Sequence, residues 1–280
     1  MSELLKMFEF KADLKPTTKK SYECVYNRMI ESNLFVFDIA ETAQDKIIKY
    51  INEIDAKPSS RLNMLNVAIV LKQAHDKPIV DLLKQREKYV LDAKIKRDES
   101  NKELTKTLPT IAELKEHLQS LFNEGKWLGF VVNYLLVNLN VRNTDFFLDI
   151  VDSGKNLPTD NNYLVIRSKD IHYIRHLYKT AETYSTKKNI ITDKRFIHAV
   201  KQFGLRPLIV NKEGEKVPLT SIGTYIKRLS FNGLGEIQIF KAVLNKASIS
   251  GGNKMSKSRG TNLGTAVDYY HTGGVGIEEV

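Results

Sequence analysis

The chain has 280 residues, 42% of them hydrophobic, with one cysteine and a formal net charge of +10. This length predicts one large or two ordinary domains, and the apolar content excludes wholesale disorder. The lone Cys24 excludes a disulfide framework and a cysteine-based zinc site. No apolar run approaches the roughly 18 residues that span a bilayer, and charges interrupt the N-terminus, unlike a signal peptide. We expect a soluble, intracellular protein with no membrane partner.

The positive charge is concentrated in one part of the sequence. Residues 167–259 hold 19 basic and 6 acidic residues, a net charge of +13, whereas the rest of the chain sums to −3. A field of this sign attracts phosphate-rich partners. Lysine-rich surfaces also keep ordinary proteins in solution, but the concentration of charge in one window favours nucleic acid as the partner.

The first hundred residues predict four amphipathic helices. These begin at or near Pro16, Gln44, Pro58 and Ile79, where apolar side chains follow at helical spacing. Helices of this kind pack into a small bundle. The charge-rich segment 92–107 predicts a helix tail that passes into a linker.

The second half predicts helices around a small sheet. Thr110 is placed to cap one helix, and the apolar run 127–139 predicts a buried one. Strand patterns occur at 163–167, 171–178 and 187–191. Helical patterns occur at 196–203, 219–229, 237–247 and 265–270, with a loop at 250–253. The predicted fold class is mostly α with a small antiparallel β-sheet, a helical bundle followed by a mixed α+β domain.

Two segments give the chain a family resemblance. An apolar helix runs into Arg142, two polar residues and Asp145, and the segment 258–271 ends in a Thr-containing stretch followed by Tyr269, Tyr270 and His271. With the Thr-rich helix start near Pro16, this organisation resembles the tyrosine recombinase, or phage integrase, family over nearly the whole chain. The resemblance implies a helical core-binding domain, residues 1–100, and a catalytic domain, residues 108–280, that bind duplex DNA.

The resemblance also implies roles for particular residues. Arg142 matches the first catalytic arginine, with Asp145 supporting its turn. The family has a catalytic lysine on a hairpin after that arginine, for which we favour Lys179, with Lys169 as the alternate. Tyr269 matches the nucleophile by its spacing, and Tyr270 is the close competitor.

These residue types suit phosphoryl transfer. A tyrosine oxygen that attacks phosphorus stores the broken bond as a 3′-phosphotyrosine. Guanidinium groups match the phosphate oxygens on which charge develops, and a lysine protonates the leaving 5′ oxygen. The resemblance therefore implies a metal-independent and ATP-independent DNA strand-transferase, with no cofactor and no metal site.

The chain departs from the family pattern at the second arginine box. The usual His-x-x-Arg reads Gln238-Ile-Phe-Lys241, so Lys241 stands for the arginine but lacks its bidentate fork. Arg259 falls near a late His or Trp position, and we expect it to supply the missing guanidinium. Alternatives are a non-catalytic DNA-binding relative of the same fold and a type IB topoisomerase-like enzyme.

A competing motif lies at 254–258. Lys-Met-Ser-Lys-Ser matches the nucleotide-binding loop of class I aminoacyl-tRNA synthetases. The His-x-Gly-His element and the parallel βαβ series of those enzymes are missing from the sequence pattern. A synthetase fragment is therefore a remote alternative.

Partners follow from the resemblance. We expect double-stranded DNA, a homotetramer on DNA, no small-molecule cofactor, and a location with the DNA, in a prokaryotic cytoplasm or in a nucleus or viral factory. The predicted DNA contacts are Lys19, Lys20, Lys169, Lys187, Lys188 and Lys257.

Overall fold

The computed structural model describes residues 3–31, 38–178, 185–245 and 249–259. The chain divides into two compact units, residues 1–100 and residues 101–280. That these units are a core-binding and a catalytic domain stays a prediction. Within the described ranges, no helix combines the length and apolar character needed to cross a membrane.

Five helices build the first unit. Their bounds are α1 Glu3–Phe10, α2 Pro16–Glu31, α3 Gln44–Glu53, α4 Pro58–Ala74 and α5 Val80–Thr105, the last of which continues into the second unit. Helix α4 is the central element, because α1, α2 and α3 all pack against it and its residues from Met64 to Leu71 are almost all buried. The predicted starts at Pro16 and Pro58 are confirmed, as expected for proline at the first helical position.

Helix α5 corrects one expectation. The charged segment 92–107 was expected to pass into a linker, but the helix continues to Thr105. The segment contains neither glycine nor proline, and Lys96 lies 3.9 Å from Glu99, one turn further along the helix. High charge alone does not break a helix whose residues favour it and whose charges alternate in sign.

Two helices and a four-stranded sheet begin the second unit. Thr110 and Glu113 form a reciprocal capping box at the start of α6 (Ile111–Asn123), and α7 (Trp127–Leu139) follows as a mostly buried helix. The strands are β1 Leu148–Val151, β2 Asn162–Ile166, β3 Ile171–Arg175 and β4 Lys187–Ile191, in that order across the sheet. Strands β2, β3 and β4 are antiparallel as predicted, while β1, which the sequence pattern did not reveal, runs parallel to β2.

Four more helices complete the described part of the second unit. They are α8 Lys194–Lys201, α9 Ile222–Leu229, α10 Glu236–Leu244 and α11 Ile249–Arg259. The predicted fold class, mostly α with a small sheet, is confirmed. The predicted helical piece at 265–270 lies outside the described residues.

Helix α11 corrects the loop predicted at 250–253. Its two glycines, Gly251 and Gly252, lower helix propensity by roughly 1 kcal/mol each, which tertiary contacts can outweigh. Met255 packs on Phe240 and Leu244 of α10, and Arg259 is buried at the end of the helix. The segment 254–258, which resembles a nucleotide-binding loop in sequence, is therefore helical in the structure.

Candidate functional site

The site is built around a turn that follows helix α7. Asn140 ends that helix in the left-handed conformation, with φ of 52°, which asparagine tolerates better than most residues. Val141 is buried, and Arg142 then precedes a short 3₁₀ turn, Asn143–Phe146. The chain therefore reverses within a few residues and places half-buried Arg142 at its bend.

Asp145 holds this turn from one side. Its Oδ2 accepts the backbone N–H of Arg142 at 3.1 Å and the Nη1 of Arg175 at 3.1 Å. Arg175 is fully buried at the end of β3, and its Nη2 donates to Asn189 Oδ1 of β4 at 3.0 Å. The predicted support of the turn by Asp145 is confirmed, and the ion pair joins the turn to two strands of the sheet.

Glu236 holds the same turn from the other side. Its Oε2 accepts the backbone N–H of Asn143 at 2.7 Å, and its Oε1 accepts Nη2 of Arg259 at 2.7 Å. The Nη1 of Arg259 lies 3.4 Å and 3.3 Å from the carbonyl oxygens of Asn140 and Val141. The turn is thereby joined to the start of α10 and the end of α11.

Two successive backbone N–H groups, those of Arg142 and Asn143, are thus each bound by a buried carboxylate. Each carboxylate is in turn paired with a buried arginine. We call Asp145 and Glu236 the carboxylate clamp. Breaking such a buried pair is costly, because it leaves an uncompensated buried charge. The paired carboxylates are therefore held in place, and they fix the backbone that carries Arg142.

Lys187 is a titratable group whose pKa is affected by the charges of this arrangement. The pKa of this half-buried lysine is lowered from 10.5 to about 8, mainly by burial and further by the charge of Arg175; the carboxylate of Asp145 opposes this shift and Arg142 adds a smaller lowering effect. Its Nζ donates to the carbonyl oxygen of Lys257 at 2.5 Å. Lys187 therefore joins the start of β4 to the last turn of α11. Its charge is also affected by the residues that form and support the Arg142 turn.

The lowered pKa of Lys187 predicts a stability effect. Below about pH 8, Lys187 of the folded protein stays protonated although burial disfavours its charge. Between pH 8 and 10.5, Lys187 is deprotonated in the folded protein but still protonated in the unfolded chain. Stability therefore rises with pH in that window. We expect Lys187→Met to be more stable than the wild type at pH 7, and the difference to shrink as the pH rises through the window.

Urea unfolding followed by the fluorescence of Trp127, the single tryptophan, measures this effect in the second unit. Lys188→Met is the matched control, because Lys188 is the exposed neighbour on the same strand. Identical pH profiles for the wild type and Lys187→Met would contradict the assignment.

Arg259 makes several contacts within the chain, and its expected role in binding phosphate stays a prediction. Its guanidinium is buried, bonded to Glu236 and to two carbonyl oxygens, and lies 4.3 Å from the ring centroid of Phe240. Through these contacts Arg259 holds the Arg142 turn.

Lys241 has a buried partner within the chain, and its expected role as a substitute for the second arginine stays a prediction. The residue is buried in α10, and its Nζ donates to the side-chain oxygen of Asn101. Gln238 accepts the backbone N–H of Gly235 at 2.8 Å and so caps its own helix. Both side chains therefore contribute to local structure.

The remaining predicted site residues fall into two groups. Lys179 and Tyr269 lie outside the described residues. Among the predicted DNA contacts, Lys19 is half-buried, with its Nζ 5.9 Å from the ring centroid of Phe8. Exposed side chains belong to Lys20, Lys169, Lys188 and Lys257. DNA contact by any of these lysines stays a prediction.

Comparison with known proteins adds little to this geometry. Neither protein-family profiles nor curated protein sequences match the chain. Among solved structures, it is similar to the crystal structure of XerA recombinase, with 12% identity and a TM-score of 0.37, over 96% of this chain and 93% of that chain. A similarity this low leaves the function to be argued from the residues themselves.

Proposed function

We propose that this chain is a DNA strand-transferase of the tyrosine recombinase type, which cleaves and rejoins duplex DNA through a 3′-phosphotyrosine. The observation that carries the proposal is the Arg142 turn, whose backbone is fixed by the carboxylate clamp and whose charges affect the lowered pKa of Lys187. A cation held rigidly by the protein stabilises the charge that develops on a phosphate in the transition state. An ordinary surface arginine needs no such support.

The proposed step uses three residues. The Tyr269 hydroxyl gives its proton to water as its oxygen attacks phosphorus and forms a phosphotyrosine bond, while the bond between phosphorus and the 5′ oxygen breaks. Arg142 stabilises the phosphate oxygens, and Lys187 gives its proton to the leaving 5′ oxygen. A pKa of about 8 suits this transfer, because a general acid works best when its pKa lies near the working pH. Reversal of the same step rejoins the strand.

This proposal assigns the general acid to Lys187, whereas the family resemblance favoured Lys179, with Lys169 as the alternate. Lys169 lies exposed in the turn between β2 and β3, and no contact of the described residues ties it to Arg142. Lys187 is half-buried and feels the charge of Arg142. Lys179 lies outside the described residues and stays the competing prediction.

Exposed lysines of the second unit would then bind the DNA backbone, and a tetramer of chains would hold two duplexes.

A second candidate is a DNA-binding relative without catalysis. The contacts of Lys241 and Arg259 favour it, because both cations that were expected to complete the phosphate site are buried and bonded to protein groups. Such a relative would bind duplex DNA with a strong salt dependence and form no covalent bond.

Covalent trapping tests the proposal. Duplexes enriched by binding from a randomised library are nicked, so that cleavage releases a short fragment and prevents rejoining. We expect a protein–DNA adduct that survives denaturation, is lost in Tyr269→Phe and is retained in Tyr270→Phe. The reverse pattern would move the nucleophile to Tyr270. Salt-sensitive binding with no adduct in the wild type would contradict the enzyme and favour the binding protein.

A further inference from the structure

Three polar side chains of the second unit meet beside the first strand of the sheet. They belong to Asp149 of β1, Asn161, which directly precedes β2, and Lys216, whose backbone bridges to Val210. The Nζ of Lys216 lies 2.8 Å from Oδ1 of Asn161 and 2.8 Å from Oδ1 of Asp149. The Nδ2 of Asn161 donates to Oδ2 of Asp149 at 2.6 Å. Each side chain therefore contacts both of the others.

The surroundings partly shield these side chains from water. Asn161 is 7% exposed, the side chain of Lys216 is 22% exposed, and Oδ1 of Asp149 is buried. The ring centroid of Phe147 lies 4.0 Å from Nζ of Lys216, so the ring covers one side of the amine. An environment that holds back water favours attack on the Asn161 amide by the neighbouring amine over hydrolysis of that amide.

The orientation of the Asn161 amide assigns a role to each group. Its carbonyl oxygen faces the amine of Lys216, and its nitrogen faces the carboxylate of Asp149. The carboxylate therefore lies against the amine with one oxygen and against the amide nitrogen with the other. A lysine is a nucleophile once it has lost its proton, and a carboxylate in contact with both nitrogens can carry protons between them. An ordinary ion pair needs only the lysine and the carboxylate.

We propose that Lys216 and Asn161 become joined by an isopeptide bond, with Asp149 as the proton carrier. The Nζ of Lys216 gives up a proton to Asp149, and its electron pair attacks Cγ of Asn161. The bond between Cγ and Nδ2 then breaks. The two protons that Nζ loses both end on Nδ2, which leaves as ammonium, and Asp149 returns to its starting form. The bond links residues 55 positions apart and so restrains the unfolded chain, as a disulfide does.

Mass spectrometry of the denatured full chain tests the proposal. We expect the wild type to be lighter than its sequence by one ammonia, and its digest to contain one peptide that joins the segments around Asn161 and Lys216. Lys216→Arg keeps the positive charge beside Asp149 but has no amine that can attack, so it should have its full sequence mass. Asp149→Ala should also keep its full mass, because the proton carrier is removed.

Lys212→Arg is the matched control, because Lys212 is an exposed lysine between the bridged residues Val210 and Lys216, and this variant should lose ammonia as the wild type does. Circular dichroism checks that every variant is folded. An asparagine can also lose ammonia to its own backbone as a succinimide, but that product joins no second peptide and survives Lys216→Arg. A wild type of full sequence mass, or a loss of ammonia that persists in Lys216→Arg, would overturn the proposal.

Discussion

Asp145→Ala is expected to destabilise the second unit by about 3–5 kcal/mol. The substitution removes the acceptor of the Arg142 backbone N–H and leaves the guanidinium of Arg175 buried without its counter-charge. Breaking one side of a buried pair costs more than the pair itself is worth, because the remaining charge has lost both its partner and water. A loss of this size would unfold many small domains.

Urea unfolding monitored by Trp127 fluorescence measures this loss. Asp170→Ala is the matched control, since the Asp170 carboxylate pairs with His172 at 3.1 Å near the surface, and we expect a change within about 1 kcal/mol. Arg175→Met should also destabilise the second unit. The double variant Asp145→Ala/Arg175→Met should lose less free energy of unfolding than the sum of the losses of the two single variants. If the loss in the double variant equals the sum of the two single losses, the two residues are not coupled.

Most elements of the fold were predictable because their sequence patterns are local. Proline starts at Pro16 and Pro58, the Thr110 cap and the strand at 187–191 all match the structure. Strand β1 was missed because four residues, Leu148–Val151, give too short a pattern to separate from the neighbouring turn. The length of α5 and the helical state of 250–253 were missed because tertiary contacts and charge pairs decide them.

The candidate site was predictable only in part. Arg142 and Asp145 are three residues apart, so a local motif could link them. Arg175 and Glu236 reach the turn from strands and helices far along the chain, and only the folded structure brings them together. One signal was available for Arg175: Ile171, Tyr173 and Arg175 alternate on the buried side of β3, where a charge needs a partner.

The second large effect concerns Lys187 in strand cleavage. We expect Lys187→Ala to slow cleavage by about 10² to 10⁴-fold, the usual contribution of a positioned general acid, and the wild-type rate to fall above about pH 8 as Lys187 loses its proton. Binding should change much less, because many lysines contribute to phosphate contact. Lys169→Ala, at the exposed alternate position, should cleave at nearly the wild-type rate.

A DNA with sulfur in place of the leaving 5′ oxygen isolates the proton transfer. A thiol has a pKa of about 8.5, so a thiolate leaves without help from an acid, whereas an alkoxide requires a proton. A residue that only binds phosphate is needed equally for both substrates. A residue that donates the proton is needed for the oxygen substrate alone.

The most direct test of the proposed site is therefore the cleavage rate of Lys187→Ala on matched oxygen and sulfur duplexes. The arrangement of Lys187 beside Arg142 predicts slow cleavage of the oxygen duplex and near wild-type cleavage of the sulfur duplex, with Arg142→Ala slow on both. The opposite result would contradict this role of Lys187: Lys187→Ala would cleave the oxygen duplex at the wild-type rate, and Lys179→Ala would be slow on the oxygen duplex but restored on the sulfur duplex.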